Sequence, residues 1–380
     1  MRLLFLLSYS LLLSCVPSTR GWVVEISGVV ASSSGEVLGG SSVEMLDDNG
    51  DIISRATTDA AGVWRMPIMI EEGQESIPWQ LHFQASLAGY NDGDLFWHLS
   101  WLDESWLPIP LTFGPGQTVA IGEHTLPSIL LFEQGVGGGS GTLIHAVTGA
   151  VQPDVDIELR RGAGAPMSQD VVALDTSRSD GGFAFAGLDS GIYTALVESQ
   201  GEVGLSTFPV RVEAWGSDNQ IGLVAPILLE GELLAAVTWS GDLELDMHLS
   251  GPLANYHGRY QVYSAEDVHP FRGDETDEVI AELVLDVPGI EATRVYTLRD
   301  GEYRISSFDV SNEQDSNSSA MSDGDVVLYL WGEGSTYYET IGQRELGTAW
   351  MGLIYDQEQG ILHRPQRFSS DVDPTDVDKF

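Results

Sequence analysis

After residue 15 no long stretch of this chain repeats an apolar spacing of three and four, so its hydrophobic residues are not arranged to make amphipathic helices. Short alternating runs lie instead between clusters of Gly, Asp, Asn and Ser, and 43 of the 380 residues are glycine. That pattern specifies hairpins in packed sheets. A hydrophobic content of 43% is enough for real cores, and the length suits two or three domains. The predicted class is therefore all-β, with three β-sandwich domains in series. The expected divisions are 1–14 as a leader, 15–21 as a tether, 22–132 and 142–230 as two related sandwiches, and 231–368 as a third. Residues 133–141 are expected to be a Gly-rich flexible linker, and 369–380 an acidic tail.

The first sandwich starts at Trp22-Val23-Val24-Glu25-Ile26, with a tight hairpin at Asp48-Asn49-Gly50-Asp51, where Asn-Gly tolerates the positive φ of a primed turn. A second turn at Asp59-Ala60-Ala61-Gly62 leads to Trp64, expected to point inward. The plan recurs at Ser140-Gly141-Thr142-Leu143-Ile144, through Asp180-Gly181-Gly182-Phe183 to Gly191-Ile192-Tyr193. Aligning Gly62 with Gly181 places Trp64 on Phe183. This turn, aromatic strand, Gly-Leu corner and Gly-x-Tyr strand resemble the carboxypeptidase regulatory-like domain, a small transthyretin-like or immunoglobulin-like sandwich. The resemblance covers only that accessory module, and implies no peptidase activity.

From Gly231 the chain differs. Leu233-Leu234-Ala235-Ala236-Val237-Thr238-Trp239 precedes a cleanly alternating stretch, with Leu243, Leu245, Met247 and Leu249 facing one way and Glu244, Asp246 and His248 the other. The Trp strand, the Asp-Leu-Glu-Leu-Asp-Met-His-Leu run and the expected Gly251-Pro252 turn resemble a family of uncharacterised exported β-sandwich domains.

Cys15 is the only cysteine, and follows an apolar run, Leu3 to Leu13, that begins after Arg2. A positive start, an apolar centre and a small residue before the cysteine form an export leader. The run is about half of the ~20 residues a spanning helix needs. Leu12-Leu13-Ser14-Cys15 resembles the bacterial lipobox, which implies cleavage before Cys15, acylation of its sulfur, and a protein held on a membrane by its acyl chains. Val16, where a Gram-negative retention signal would have Asp, implies sorting to the outer membrane. With no other cysteine, internal disulfides and thiolate metal sites are excluded.

Asp+Glu of 57 against Lys+Arg of 17 gives a formal charge of −40. A chain so acidic repels nucleic acid and anionic headgroups, and its spread-out carboxylates suit saline surroundings with divalent cations as counterions. Three features are candidate sites. Asp246 and His248 share a strand face, and with Asp309, Asn312 or His257 converging they would ligate Ca2+ or another divalent cation, or move a proton; otherwise they pin the neighbouring turn. Trp97, Trp101 and Trp106 belong to an aromatic-rich region that fills a core or forms a platform stacking on sugar rings. Asp47 to Asp51 clusters oxygen ligands around a Gly but lacks the Glu that an EF-hand loop requires.

No Gly-x-Ser-x-Gly elbow, His-Glu-x-x-His helix or phosphate loop is present. The expected function is thus a lipid-anchored, non-enzymatic structural or binding scaffold of the cell envelope, with an envelope protein or glycan as partner. A carbohydrate-binding adhesin and a hydrolase built on Asp246 and His248 are the alternatives.

Overall fold

A computed structural model of the chain describes residues 21–47, 50–71, 80–98, 118–253, 259–264, 268–270, 279–312, 315, 317–332, 334–341, 346–358, 360–363 and 367–369. The architecture is all-β, in three sandwiches.

The first contains β1 (Gly21–Ser32), β2 (Ser42–Leu46), β3 (Ile52–Thr57), β4 (Val63–Glu71), β5 (Gln80–Ser86), β6 (Tyr90–Asn91), β7 (Gly93–His98), β8 (Thr118–Thr125) and β9 (Ile129–Glu133). One sheet runs β4-β1-β9-β6 with β8 also against β1, and the other runs β3-β2-β5-β7. The second contains β10 (Val136–His145), β11 (Asp156–Arg161), β12 (Val171–Thr176), β13 (Gly182–Asp189), β14 (Gly191–Val197), β15 (Ser206–Val212) and β16 (Ser217–Val224). Its sheets, β13-β10-β16 and β12-β11-β14-β15, repeat β4-β1-β8 and β3-β2-β5-β7 of the first sandwich, where β9 and β6 are additional.

The repeat extends to individual residues. Gly62 and Gly181 both adopt positive φ, at 73° and 75°. Each follows a turn closed by its own N–H, onto the Asp59 and Arg178 carbonyls respectively. Trp64 lies opposite Gly28 and Phe183 opposite Gly141, and both aromatic residues are buried in their cores. A glycine is needed opposite each ring, because a Cβ would stand 2.8 Å from Trp64 and 2.7 Å from Phe183.

The third sandwich contains β17 (Leu233–Thr238), β18 (Leu245–Pro252), β19 (Arg259–Val262), β20 (Val268–Pro270), β21 (Val279–Val287), β22 (Ile290–Val295), β23 (Glu302–Asp309), the short α1 (Ala320–Asp323), β24 (Val327–Gly332), β25 (Ser335–Thr340), β26 (Ala349–Asp356), β27 (Ile361–His363) and β28 (Arg367–Ser369). Its sheets are β20-β21-β22-β17-β24-β25 and β19-β18-β23-β26-β27, with β28 beside β26. Leu245, Met247 and Leu249 enter the core between them, as the alternation predicts.

Every residue of β17 is buried. Leu233, Ala235 and Val237 face the third sandwich's own core, while Leu234 and Ala236 join a cluster with Leu143, Phe183, Phe208 and Val210 of the second. Strands covered on both faces read as continuous apolar runs, which accounts for the unbroken Leu-Leu-Ala-Ala-Val. Tyr329 and Trp331 of β24 point the same way, stacked at 5.4 Å, and complete a core shared by the two sandwiches.

Two expectations are corrected. Gly251-Pro252 is not a turn but the end of β18, paired with Tyr260 and Arg259 of β19. The glycine run in 133–141 is not a flexible joint, since most of it is β10, the central strand of a sheet. Its glycines stand where neighbouring backbones come too close for a side chain. A Cβ would lie 1.7 Å from the Glu213 carbonyl oxygen at Gly137, 2.4 Å from that of Arg211 at Gly139, and 2.3 Å from that of Gln220 at Gly141. Substituting Gly141→Ala should therefore destabilise the protein by about 1–3 kcal/mol in urea unfolding. A change within about 0.5 kcal/mol, typical of a loose surface segment, would contradict the strand assignment.

Candidate functional site

The register of β18 against β23 decides which predicted groups can meet. Asp246 lies opposite Phe308 and His248 opposite Ser306, whereas Asp309 lies opposite Leu245. Directly opposed residues share a face, so Asp309 is on the other side of the sheet from Asp246 and His248. Among the described residues, therefore, neither Asp309 nor the Asn312 bonded to it converges on the pair. Asp309 is buried, and its carboxylate accepts hydrogen bonds from the Ser311 hydroxyl at 2.7 Å, the Asn312 N–H at 3.0 Å and the Asn312 amide at 2.9 Å. It shapes the turn after β23. His257 lies outside the described residues, and among those described no group of three or more His, Cys, Asp and Glu is placed to hold a metal.

Asp246 and His248 do form a pair, with Nε2 of His248 3.3 Å from the Asp246 carboxylate. The strand face that they share is covered at His248. His248 is buried between Tyr263, stacked at 4.6 Å, and Phe308, tilted at 4.4 Å, and its Nδ1 bonds to the Gln261 amide. Asp246 accepts from the Ser264 N–H at 3.1 Å and hydroxyl at 2.9 Å. Burial alone would raise the Asp246 carboxyl, but the hydrogen bond and charge of His248 and the two bonds from Ser264 outweigh it and hold the pKa below the usual range. Every polar atom of the pair faces a protein partner, so the arrangement tethers the chain after β19 to β18.

Behind this pair stands a group that sequence reasoning missed. Glu291 of β22 is buried in the sandwich and accepts the Met247 N–H, a ladder donor left open where β19 ends. Burial pushes its carboxyl up to about 8, with the charges of Asp246 and Asp286 adding to the rise and the Met247 N–H opposing it.

Of the aromatic candidates, Trp97 is fully buried in the first core, and so cannot stack on a sugar ring. Trp101, Trp106 and Cys15 lie outside the described residues. In the acidic hairpin, the Asp47 carboxylate accepts the Asp51 N–H at 2.8 Å and Gly50 takes φ 80°, as a β-turn requires; Asp48 and Asn49 lie outside the described residues.

A second polar constellation lies where the three sandwiches meet. Arg161 of the second sandwich donates to the Asp94 carboxylate at 3.1 Å and the Asp92 carbonyl at 3.0 Å in the first. Asp94 also accepts from His82 at 2.8 Å and Gln84 at 3.0 Å. Burial would raise the Asp94 carboxyl, but the His82 and Gln84 bonds and the charges of His82 and Arg161 hold it below the usual range. Alongside, Phe96 N–H donates to the Ala163 carbonyl and Ala163 N–H to the Asp94 carbonyl, a strand-like seam between sandwiches. Arg211 reaches both neighbours. Its guanidinium donates to the Ser33 carbonyl at 2.8 Å, lies 5.4 Å from the Phe132 ring centre, and approaches the Asp325 carboxylate of the third sandwich at 3.7 Å. Between these contacts is a cavity of about 370 Å³, lined from all three sandwiches by residues including Asp92, Arg161, Arg211, Asn219, Trp239 and Asp325. The Tyr338 hydroxyl meets Thr194 and the Gly164 N–H, and Thr336 meets Thr207, which closes the joint between second and third.

No family model matches the chain, and no curated protein matches it. Among solved structures it is similar to the shaft pilin SpaA of Lactobacillus rhamnosus GG, at 13% identity over 56% of this chain and 99% of that one, with a TM-score of 0.20. It is also similar to a streptococcal ancillary pilin, at 12% over 54% and 62%, TM-score 0.20, and to the Bacillus anthracis TIE protein, at 13% over 85% and 48%, TM-score 0.21. Likeness at this level says nothing of activity.

Glu291 makes the third sandwich sensitive to pH. Its folded pKa of about 8 lies above the ordinary 4.5, so between those values the native state holds a proton that the unfolded chain has released. Stability should fall by a few kcal/mol as pH rises from about 5 to 8. Glu291→Gln, which keeps the shape without the titration, should flatten that decline in pH-dependent urea unfolding; an equally steep decline in the variant would contradict the assignment.

Proposed function

We propose that this protein is a non-enzymatic structural or binding scaffold of the cell envelope, anchored by acylated Cys15 after removal of residues 1–14 and carried by the 15–21 tether at the outer membrane. The observation that supports the scaffold reading is the way the sandwiches are joined. One pair shares a hydrophobic core, the other shares a strand-like seam and the Arg161–Asp94 bridge, and Arg211 ties all three. Inter-domain interfaces that are large and apolar suppress relative motion, as a load-transmitting or presenting arm requires. The Asp246–His248 pair, covered by Tyr263, Phe308 and Gln261, is a structural tether rather than a reaction centre.

The test of the anchor is the intact mass of protein extracted from its native membrane, with Cys15→Ala alongside. A diacyl or triacyl increment on a chain beginning at Cys15, absent from the variant, is expected. An unacylated chain would overturn the anchored reading and make the scaffold a secreted one.

A further inference from the structure

The two related sandwiches present equivalent edge strands, which differ at their centre. β3 and β12 occupy the same place at the end of their sheets and pair with β2 and β11 in the same register. Thr57 and Thr176 lie opposite Ser42 and Asp156, Arg55 and Leu174 lie opposite Glu44 and Glu158, and both ladders carry an irregularity at the same point. The outward-pointing centre of the edge is thus Arg55 in the first copy and Leu174 in the second. A charged side chain at this position is the ordinary means by which an edge strand is kept from pairing with another chain. Arg55 serves that purpose, held 2.7 Å from Glu44.

In the second copy Glu158 is instead taken by Arg160 at 2.6 Å, and Leu174 is left 71% exposed. Val171 and Val172 extend the apolar surface along the edge, as Ile52 and Ile53 do in the first copy, and Met167 adds to it in the loop before, so the two edges differ chiefly in whether a cation or Leu174 stands at the centre of that apolar row. The other strands that end a sheet at the sandwich joints are covered: β7 by Ala163, and β15 and β25 by one another through Thr207 and Thr336.

We propose that the β12 edge is a docking strand for an extended, basic segment of a partner protein, which adds to the sheet with aliphatic side chains against Leu174 and Val172. Main-chain hydrogen bonds supply affinity in such strand addition and alternate side chains supply selectivity. Charge selects the occupant. Asp156 and Glu158 stand on β11 beside the edge, Asp154, Asp170 and Asp180 flank the two strands in sequence, and Asp175 of β12 accepts the Ala184 N–H of β13, against Arg160 and Arg178. A second copy, carrying the same −40, would be repelled, whereas a cationic strand is attracted. The proposal gives the scaffold a partner and does not depend on Cys15 being acylated, so the soluble chain is sufficient to test it.

The probe is a nine-residue peptide of alternating Val and Lys, with a Val-Glu peptide as control, read by fluorescence anisotropy and by backbone hydrogen exchange on the whole protein. Leu174→Arg rebuilds the arrangement that the first sandwich already tolerates, and Leu174→Gln removes the apolar group without adding charge. The expected result is binding of the Val-Lys peptide but not the Val-Glu peptide, new exchange protection confined to about residues 170–177, and at least tenfold weaker binding in both variants. Binding by both variants as tight as that of the unsubstituted protein, weakening in Leu174→Arg alone, protection elsewhere or no binding would overturn the docking edge. Self-association of the free protein that disappears in Leu174→Arg would overturn the choice of occupant in favour of a second copy.

Discussion

The structure depends on one sheet that is buried on both faces. In β17 and β24 alternate side chains serve two sandwiches at once, Leu233, Ala235, Leu328 and Leu330 on one side and Leu234, Ala236, Tyr329 and Trp331 on the other. Burial of apolar area is worth about 25 cal/mol per Å², and this shared surface cannot be separated without exposing large aromatic rings. The second and third sandwiches therefore behave as one body, and the first is added to that body by polar contacts of a different kind.

Those polar contacts rest on arginine. Lys379 is the only lysine in the chain, so every other Lys or Arg cation is an Arg. A planar guanidinium can satisfy a carboxylate, a carbonyl and an aromatic face together, as Arg211 does, where an ammonium is a single point charge. In a chain with net charge −40, self-repulsion works against compaction, and the few cations count most where segments distant in sequence must be held together. Arg161 and Arg211 both occupy such places.

Much of this was legible from residue order alone. The Gly62/Gly181 turns with their aromatic strands marked a repeat that the topology bears out, and strict alternation through Leu245, Met247 and Leu249 identified an inward face. What was hidden follows from two physical facts. Glycine marks either loose chain or close backbone approach, and the run at 137–141 cannot be assigned to one or the other until the neighbours at Arg211, Glu213 and Gln220 are known. Register, moreover, decides which side of a sheet a residue occupies. A shift of one residue would have placed Asp309 opposite Asp246, on the face that His248 shares. The Arg161–Asp94 bridge joins residues 67 apart, and neither has a local signal of its role.

The central claim, that the three sandwiches move as a single unit, is tested most directly by electron–electron distance measurement. Cys15→Ser leaves the chain free of thiols, so spin labels at Ala61→Cys and Glu358→Cys would report the span from first to third sandwich without competing sites. A single narrow distance distribution in solution is the predicted result. A broad or multiply peaked one would show sandwiches that hinge independently, and would contradict the account of the junction given by Arg161, Arg211 and the shared core.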